Sequence, residues 1–107
     1  MAARGAGAGA VAEAGVVGRV RVRLVSLLRD AVGGARSVEV EVPGEGMKLG
    51  ELLEKLFRMY PRLREVIRGL EERGLNVVYM VNGESAGSEH VVRPGDELVV
   101  LPPASGG

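Results

Sequence analysis

Two short runs of strict alternation, close together and oppositely charged, limit this chain more than any other feature. Arg19, Val20, Arg21, Val22, Arg23 and Leu24 alternate with period two, and so do Val38, Glu39, Val40, Glu41 and Val42. Each run is a strand with one buried and one solvated face. Gly33 and Gly34 lie in the turn between them. Pairing the runs as an antiparallel hairpin sets an arginine stripe against a glutamate stripe, at about 0.2 to 1 kcal/mol per cross-strand pair. The arginines are therefore read as the outer face of a sheet and not as a binding patch.

The pattern then changes period. Leu49, Leu52, Leu53, Leu56, Phe57 and Tyr60 form the stripe of an amphipathic helix, which Pro61 stops. Lys48 is a poor N-cap, but Glu51 can fill the capping-box position and Met47 can staple onto Leu52. Leu63, Val66, Ile67 and Leu70 predict a shorter second helix ended by Gly74, marginal because Gly69 lies inside it. Arg58, Arg62, Arg64 and Arg68 read as a solvated helix face. Phe57 and Tyr60 read as core. Val77 to Val81 is a nearly continuous apolar run, expected to be an inner strand covered on both faces. Asn82-Gly83 is a type I′ turn pair that sends the chain back through Glu84 to Ala86. Pro94-Gly95 launches a last strand, Glu97 to Leu101, and Pro102 and Pro103 halt it. The order is strand, strand, helix, strand, short strand, strand. It predicts an α+β fold of the β-grasp, or ubiquitin-like, kind: a mixed sheet with its first and last strands side by side and one main helix packed across it.

Several classes of function are disfavoured. Fourteen basic and 14 acidic residues balance, and Phe57, Tyr60 and Tyr79 are the only aromatics, so neither the charge nor the stacking platform of a nucleic-acid binder is present. No apolar run reaches the roughly 20 residues of a membrane span. With no Cys and one His, His90, a metal site is not expected, and the lack of Cys suits a reducing, cytoplasmic compartment. No carboxylate pair, Ser-His pair or phosphate-cradling glycine motif stands out, so the chain is not expected to be catalytic alone. Residues 1–18, rich in Gly, Ala and Val, read as a low-complexity, disordered extension, because their glycines break up any signal-peptide core. The β-grasp domain is assigned to 19–101 and a flexible tail to 102–107.

That tail holds the chemistry. Pro102 and Pro103 favour extended geometry, Ala104 and Ser105 are small, and Gly106 and Gly107 have no Cβ to obstruct a narrow channel. Six extended residues at about 3.3 Å each reach roughly 20 Å, enough to enter another protein's active site. Gly107 ends in a carboxyl whose pKa of about 3.3 to 3.7 makes it an unreactive carboxylate at neutral pH. Activation by ATP on a partner enzyme, followed by sulfide transfer, would make it a thiocarboxylate.

The segments Leu27-Leu28-Arg29-Asp30-Ala31-Val32-Gly33, Leu49-Gly50-Glu51-Leu52-Leu53, Tyr60-Pro61, Val81-Asn82-Gly83-Glu84, Pro94-Gly95-Asp96-Glu97-Leu98 and the Leu101 to Gly107 tail together resemble the MoaD family, small sulfur-carrier subunits of molybdopterin synthase within the MoaD and ThiS group. The likeness covers residues 19–107. It implies that Gly107 is adenylated by a MoeB-like enzyme, with ATP used there and no cofactor held permanently on this chain. The tail, Pro102 to Gly106, would then thread into a MoaE-like large subunit. Two thiocarboxylates in turn would sulfurate cyclic pyranopterin monophosphate in molybdenum cofactor biosynthesis. It also implies a partner contact at Leu101 and leaves the role of Arg29 open. Two other uses of the same terminus stand beside it: conjugation of Gly107 to lysines, as in some archaeal relatives, and sulfur carriage in the thiamine pathway, whose carriers are usually shorter and lack the proline pair.

Overall fold

The computed structural model describes residues 17–102. Strand β1 (Val17–Leu24) runs into a 3-10 helix (Ser26–Val32) and returns as β2 (Ser37–Pro43). A two-residue strand β3 (Met47–Lys48) leads into α1 (Leu49–Met59) and α2 (Pro61–Glu72). Strands β4 (Val78–Val81), β5 (Glu84–Ser85), β6 (Val91–Val92) and β7 (Glu97–Leu101) complete the chain. The main sheet has the order β2-β1-β7-β4-β5, with β3 and β6 pairing separately. The first and last strands are parallel neighbours at its centre, as the β-grasp expectation requires.

The hairpin of alternating strands forms as expected, with Arg19 opposite Glu41 and Arg21 opposite Glu39. Its ladder continues to Val17, which pairs with Pro43, so the strand starts two residues before Arg19. Gly18 belongs to this added stretch, and a Cβ there would collide with the ring of Pro94. Residues 1–16, the rest of the low-complexity extension, lie outside the described residues.

The inner faces of the sheet and helices meet in one core. Val20, Val22, Leu24, Val40, Val42, Leu98 and Val100 face Leu49, Leu52, Leu56, Leu63 and Ile67, all nearly or fully buried. Phe57 and Tyr60 pack half-buried against this core. The weak cap at Lys48 is compensated from elsewhere in the chain. The Leu49 N–H donates to the His90 carbonyl at 2.7 Å and the Gly50 N–H to the Ser88 carbonyl at 2.9 Å, while Glu51 Oε1 accepts the Lys48 N–H at 3.4 Å. Orphan donors at the start of α1 are thus satisfied by a distant loop. The Lys48 ammonium pairs with Glu89 at 3.0 Å, which raises its pKa.

Pro61 has a second role beyond stopping α1: it opens α2 at N1, where its missing N–H costs nothing. The second helix is therefore longer than Leu63 to Leu70. Gly74, at φ 79°, ends the turn beyond it, where the Leu75 N–H donates to the Leu70 carbonyl at 2.9 Å. Strands β3 and β6 were not foreseen, since two residues are too few to show a period.

The two turn motifs are bonded to each other. Asn82 and Gly83 have φ of 51° and 86°, as a type I′ turn demands. The Asn82 side chain accepts the Glu97 N–H at 3.0 Å and donates to Asp96 Oδ1 at 3.0 Å, and Asp96 Oδ2 accepts the Arg93 N–H at 2.8 Å. The Arg93 N–H holds the Asp96 carboxyl below its ordinary value, with Asn82 assisting and partial desolvation opposing. A carboxyl with a lower pKa folded than unfolded stabilises the fold above the unfolded value and loses that contribution as pH falls through the folded one. Asp96→Asn should therefore melt below the parent near pH 7, and the gap should narrow as pH falls through the lowered pKa of the folded carboxyl, measured as Tm against pH for both proteins.

Candidate functional site

The site begins with how β7 is held. It pairs in parallel with β1, Leu24 facing Val100, and antiparallel with β4, Val78 facing Leu101 and Met80 facing Val99. Leu98 and Val100 are wholly buried under the helices. Glu97, Val99 and Leu101 point to the other, open face and are half-buried. Pro102 follows with no strand pairing, because it has no N–H to give a ladder. The last described strand is thus clamped on both sides up to Leu101. Of the residues assigned to the reactive tail, Pro102 is described; Pro103, Ala104, Ser105, Gly106 and Gly107 lie outside the described residues.

Leu101 does not stand alone. Directly paired residues share a face, so Val78, Met80, Val99 and Leu101 form a four-residue apolar strip on the open side of the sheet, beside the point where the chain departs. This corrects the expectation that the Val77 to Val81 run is covered on both faces. Val78 is 41% exposed and Met80 half-buried, because among the described residues the helices cover one side of the sheet only. The strip requires β4 to lie beside β7, a tertiary fact with no local signature.

Charge on the open face is balanced: Arg19, Arg21 and Arg23 stand with Glu39, Glu41 and Glu97. Arg19 pairs with Glu39 at 3.6 Å and Arg23 with Glu97 at 3.8 Å. Both pairs are exposed and stabilise little. The apolar strip interrupts this balanced charge, with Arg23 at its border opposite Val99.

Among the described residues no three His, Asp or Glu side chains gather as metal ligands, and no helix is long and apolar enough to cross a membrane. His90 is exposed, and its carbonyl is engaged by the start of α1. Burial, aided by Glu71, pushes the Tyr79 phenol up to about 12, so it stays protonated at neutral pH. Arg29, whose role the sequence left open, donates its Nε–H to the Leu24 carbonyl at 3.2 Å and ties the 3-10 helix to the end of β1. Arg58, Arg62, Arg64 and Arg68 are exposed, as expected of a solvated helix face.

Comparison with known proteins agrees with this architecture. The model of the ThiS family matches residues 22–107, including the whole of β7 and the tail. Small archaeal modifier protein 1 of Haloferax volcanii is 35% identical over 77 residues, covering 71% of this chain and 87% of the relative. The solution structure of small archaeal modifier protein 1 from Methanosarcina acetivorans superposes with a TM-score of 0.66 at 30% identity, covering 87% of this chain and all of that one. A Pyrococcus furiosus protein described as a putative molybdopterin converting factor, subunit 1, shares the fold with a TM-score of 0.60 at 22% identity, covering 81% of this chain and 99% of that one.

Proposed function

Because this chain belongs to the ThiS family, we propose that it is a ubiquitin-like carrier whose Gly107 carboxylate is activated on a partner enzyme and then spent in group transfer. One observation carries this reading. The central, doubly paired strand β7 ends at Leu101 beside an exposed apolar strip and passes at once into a six-residue motif of prolines, small residues and terminal glycines.

The chemistry follows from the carboxylate. A Gly107 carboxylate oxygen attacks the α-phosphorus of ATP held by a MoeB-like enzyme, pyrophosphate leaves, and the carboxyl carbon becomes an acyl adenylate. A sulfide donor attacks that carbon and AMP departs, leaving the thiocarboxylate. Its sulfur is anionic at neutral pH and needs no neighbouring base. Delivered into a MoaE-like subunit in the cytoplasm, it would sulfurate cyclic pyranopterin monophosphate on the route to molybdopterin. The body positions the tail: β7 fixes where it departs, and Val78, Met80, Val99 and Leu101 seat it on each partner.

A second reading shares the adenylate and differs in the acceptor. The 35% identity to an archaeal modifier supports attack by a target lysine amine, with AMP leaving and an isopeptide bond formed at Gly107. Intact-mass analysis of the protein from its host separates the two: free chain with one oxygen replaced by sulfur marks the carrier, and a ladder of heavier conjugates marks the modifier. Neither species, in cells making both partners, overturns the shared adenylate.

The docking strip has its own test. Met80→Arg puts a charge on the open face without entering the core, so the melting curve should be nearly unchanged. Affinity for the activating enzyme, measured by calorimetry, should fall at least about tenfold, as for a central apolar interface residue. Unchanged affinity would remove the strip from the interface.

A further inference from the structure

The edge of the main sheet formed by β2 lies apart from the strip beside Leu101 and does not depend on what Gly107 does. Among the described residues β2 pairs with β1 alone. Two observations fix which of its backbone groups remain available. Arg19 accepts from Gly95 and Arg21 donates to Asp96, so the backbone of these β1 residues points to β7 and away from β2. Their partners in the register, Glu41 and Glu39, must then turn their own N–H and C=O outward. The Glu41 carbonyl does so, accepting from Lys55 Nζ of α1 at 2.6 Å.

Beside this edge lies a hollow of about 450 Å³ lined by Arg19, Glu39, Glu41, Lys55 and Met59. Met59 is 44% exposed, an apolar side chain outside the cluster that forms the core. A free edge bordered by an apolar anchor is what an added strand uses: the backbone ladder supplies affinity and alternate side chains supply specificity.

We propose that β2 accepts an extended peptide of alternating basic and apolar residues, supplied by a partner protein. Charge selects this occupant. Residues opposite Glu39 and Glu41 would lie on the same face as these carboxylates, where acidic side chains are repelled and basic ones pair with Glu41 and share Glu39 with Arg19, whose exposed pair to it is weak. A second copy of this chain would bring its own Glu39 and Glu41 to the edge and is disfavoured. The intervening apolar residues fall on the helix side, towards Met59. Lys55 is a displaceable latch: it occupies the Glu41 carbonyl until a peptide N–H takes it, which also guards the edge against indiscriminate pairing. With β1 between β2 and β7, the occupied edge lies about 10 Å from the strand bearing the tail. A partner tethered there leaves the apolar strip and the terminus free to act, raising its effective concentration.

The test uses the full chain, isotope-labelled for amide NMR, titrated with a blocked Val-Arg alternating peptide of about ten residues and with its Val-Glu counterpart. The basic peptide should produce saturable shifts at Ser37, Glu39, Glu41 and Lys55, and the acidic one none. Glu39→Lys combined with Glu41→Lys should weaken binding at least about tenfold, a change the peptide swap checks on the unaltered protein. Lys55→Ala, with the carbonyl released, should bind at least as tightly as the parent. Shifts confined to the Val78, Met80, Val99 and Leu101 strip, equal binding of both peptides, or no saturable shift at millimolar peptide would overturn the proposal.

Discussion

Deleting Gly106 and Gly107 should abolish adenylate formation while leaving the fold intact. The expected loss is complete within the sensitivity of ATP–pyrophosphate exchange, because the deletion leaves Ser105 as the terminus. It shortens the reach by two residues, roughly 7 Å when extended. It also places a Cβ and a hydroxyl where a narrow channel would have admitted glycine. A carboxylate still ends the chain, so the assay separates possession of a carboxyl from its delivery to the reacting phosphorus. No ladder bond of β7 is touched, since pairing ends at Leu101. The truncated protein should therefore melt with the parent and still bind the activating enzyme through the strip. Exchange at the parent rate would show that the terminal pair is dispensable.

The second large effect is on stability. Leu98→Ala removes a fully buried side chain from the strand that joins the two halves of the sheet, where Leu98 lies between Val22 of β1 and Val81 of β4. Truncation of a core leucine costs about 2 to 5 kcal/mol. A domain of this size has about 4 to 13 kcal/mol to lose. The urea midpoint should fall by about a sixth at the least, and Tm by roughly 10 to 30 °C. Val99→Ala, one residue along on the half-exposed face, should cost well under half as much. The contrast between neighbours tests the assignment of alternate β7 residues to core and docking strip. Equal losses would mean that the open face is covered.

Local patterns revealed most of the architecture. The alternation from Arg19 to Leu24 and from Val38 to Val42 identified the hairpin, because a half-buried strand must repeat every two residues. Asn82-Gly83 and Pro94-Gly95 identified the turns, because their φ values suit few other residues. Features that depend on residues far apart stayed hidden. Arg19 reaches diagonally to Glu39 and not across to Glu41, since a long side chain is not bound to its register partner. The role of Pro61 as the start of α2 depends on a bend at Tyr60, whose φ of −134° and ψ of 79° break the helix between two apolar stripes. The exposure of Val78 and Met80 depends on which face the helices cover. The glycine-ended tail stands out in the sequence after the last strand, whereas the apolar strip of Val78, Met80, Val99 and Leu101 needed the neighbours of β7.

The most direct test locates the new atom. The full chain is incubated with its activating enzyme, ATP and a sulfide source, then cleaved and sequenced by tandem mass spectrometry. The expected product has one oxygen exchanged for sulfur, confined to the Gly107 carboxyl and dependent on ATP. An unaltered Gly107 alongside sulfur elsewhere in the chain, or sulfur transfer to an acceptor by a protein lacking its two terminal glycines, would contradict the account.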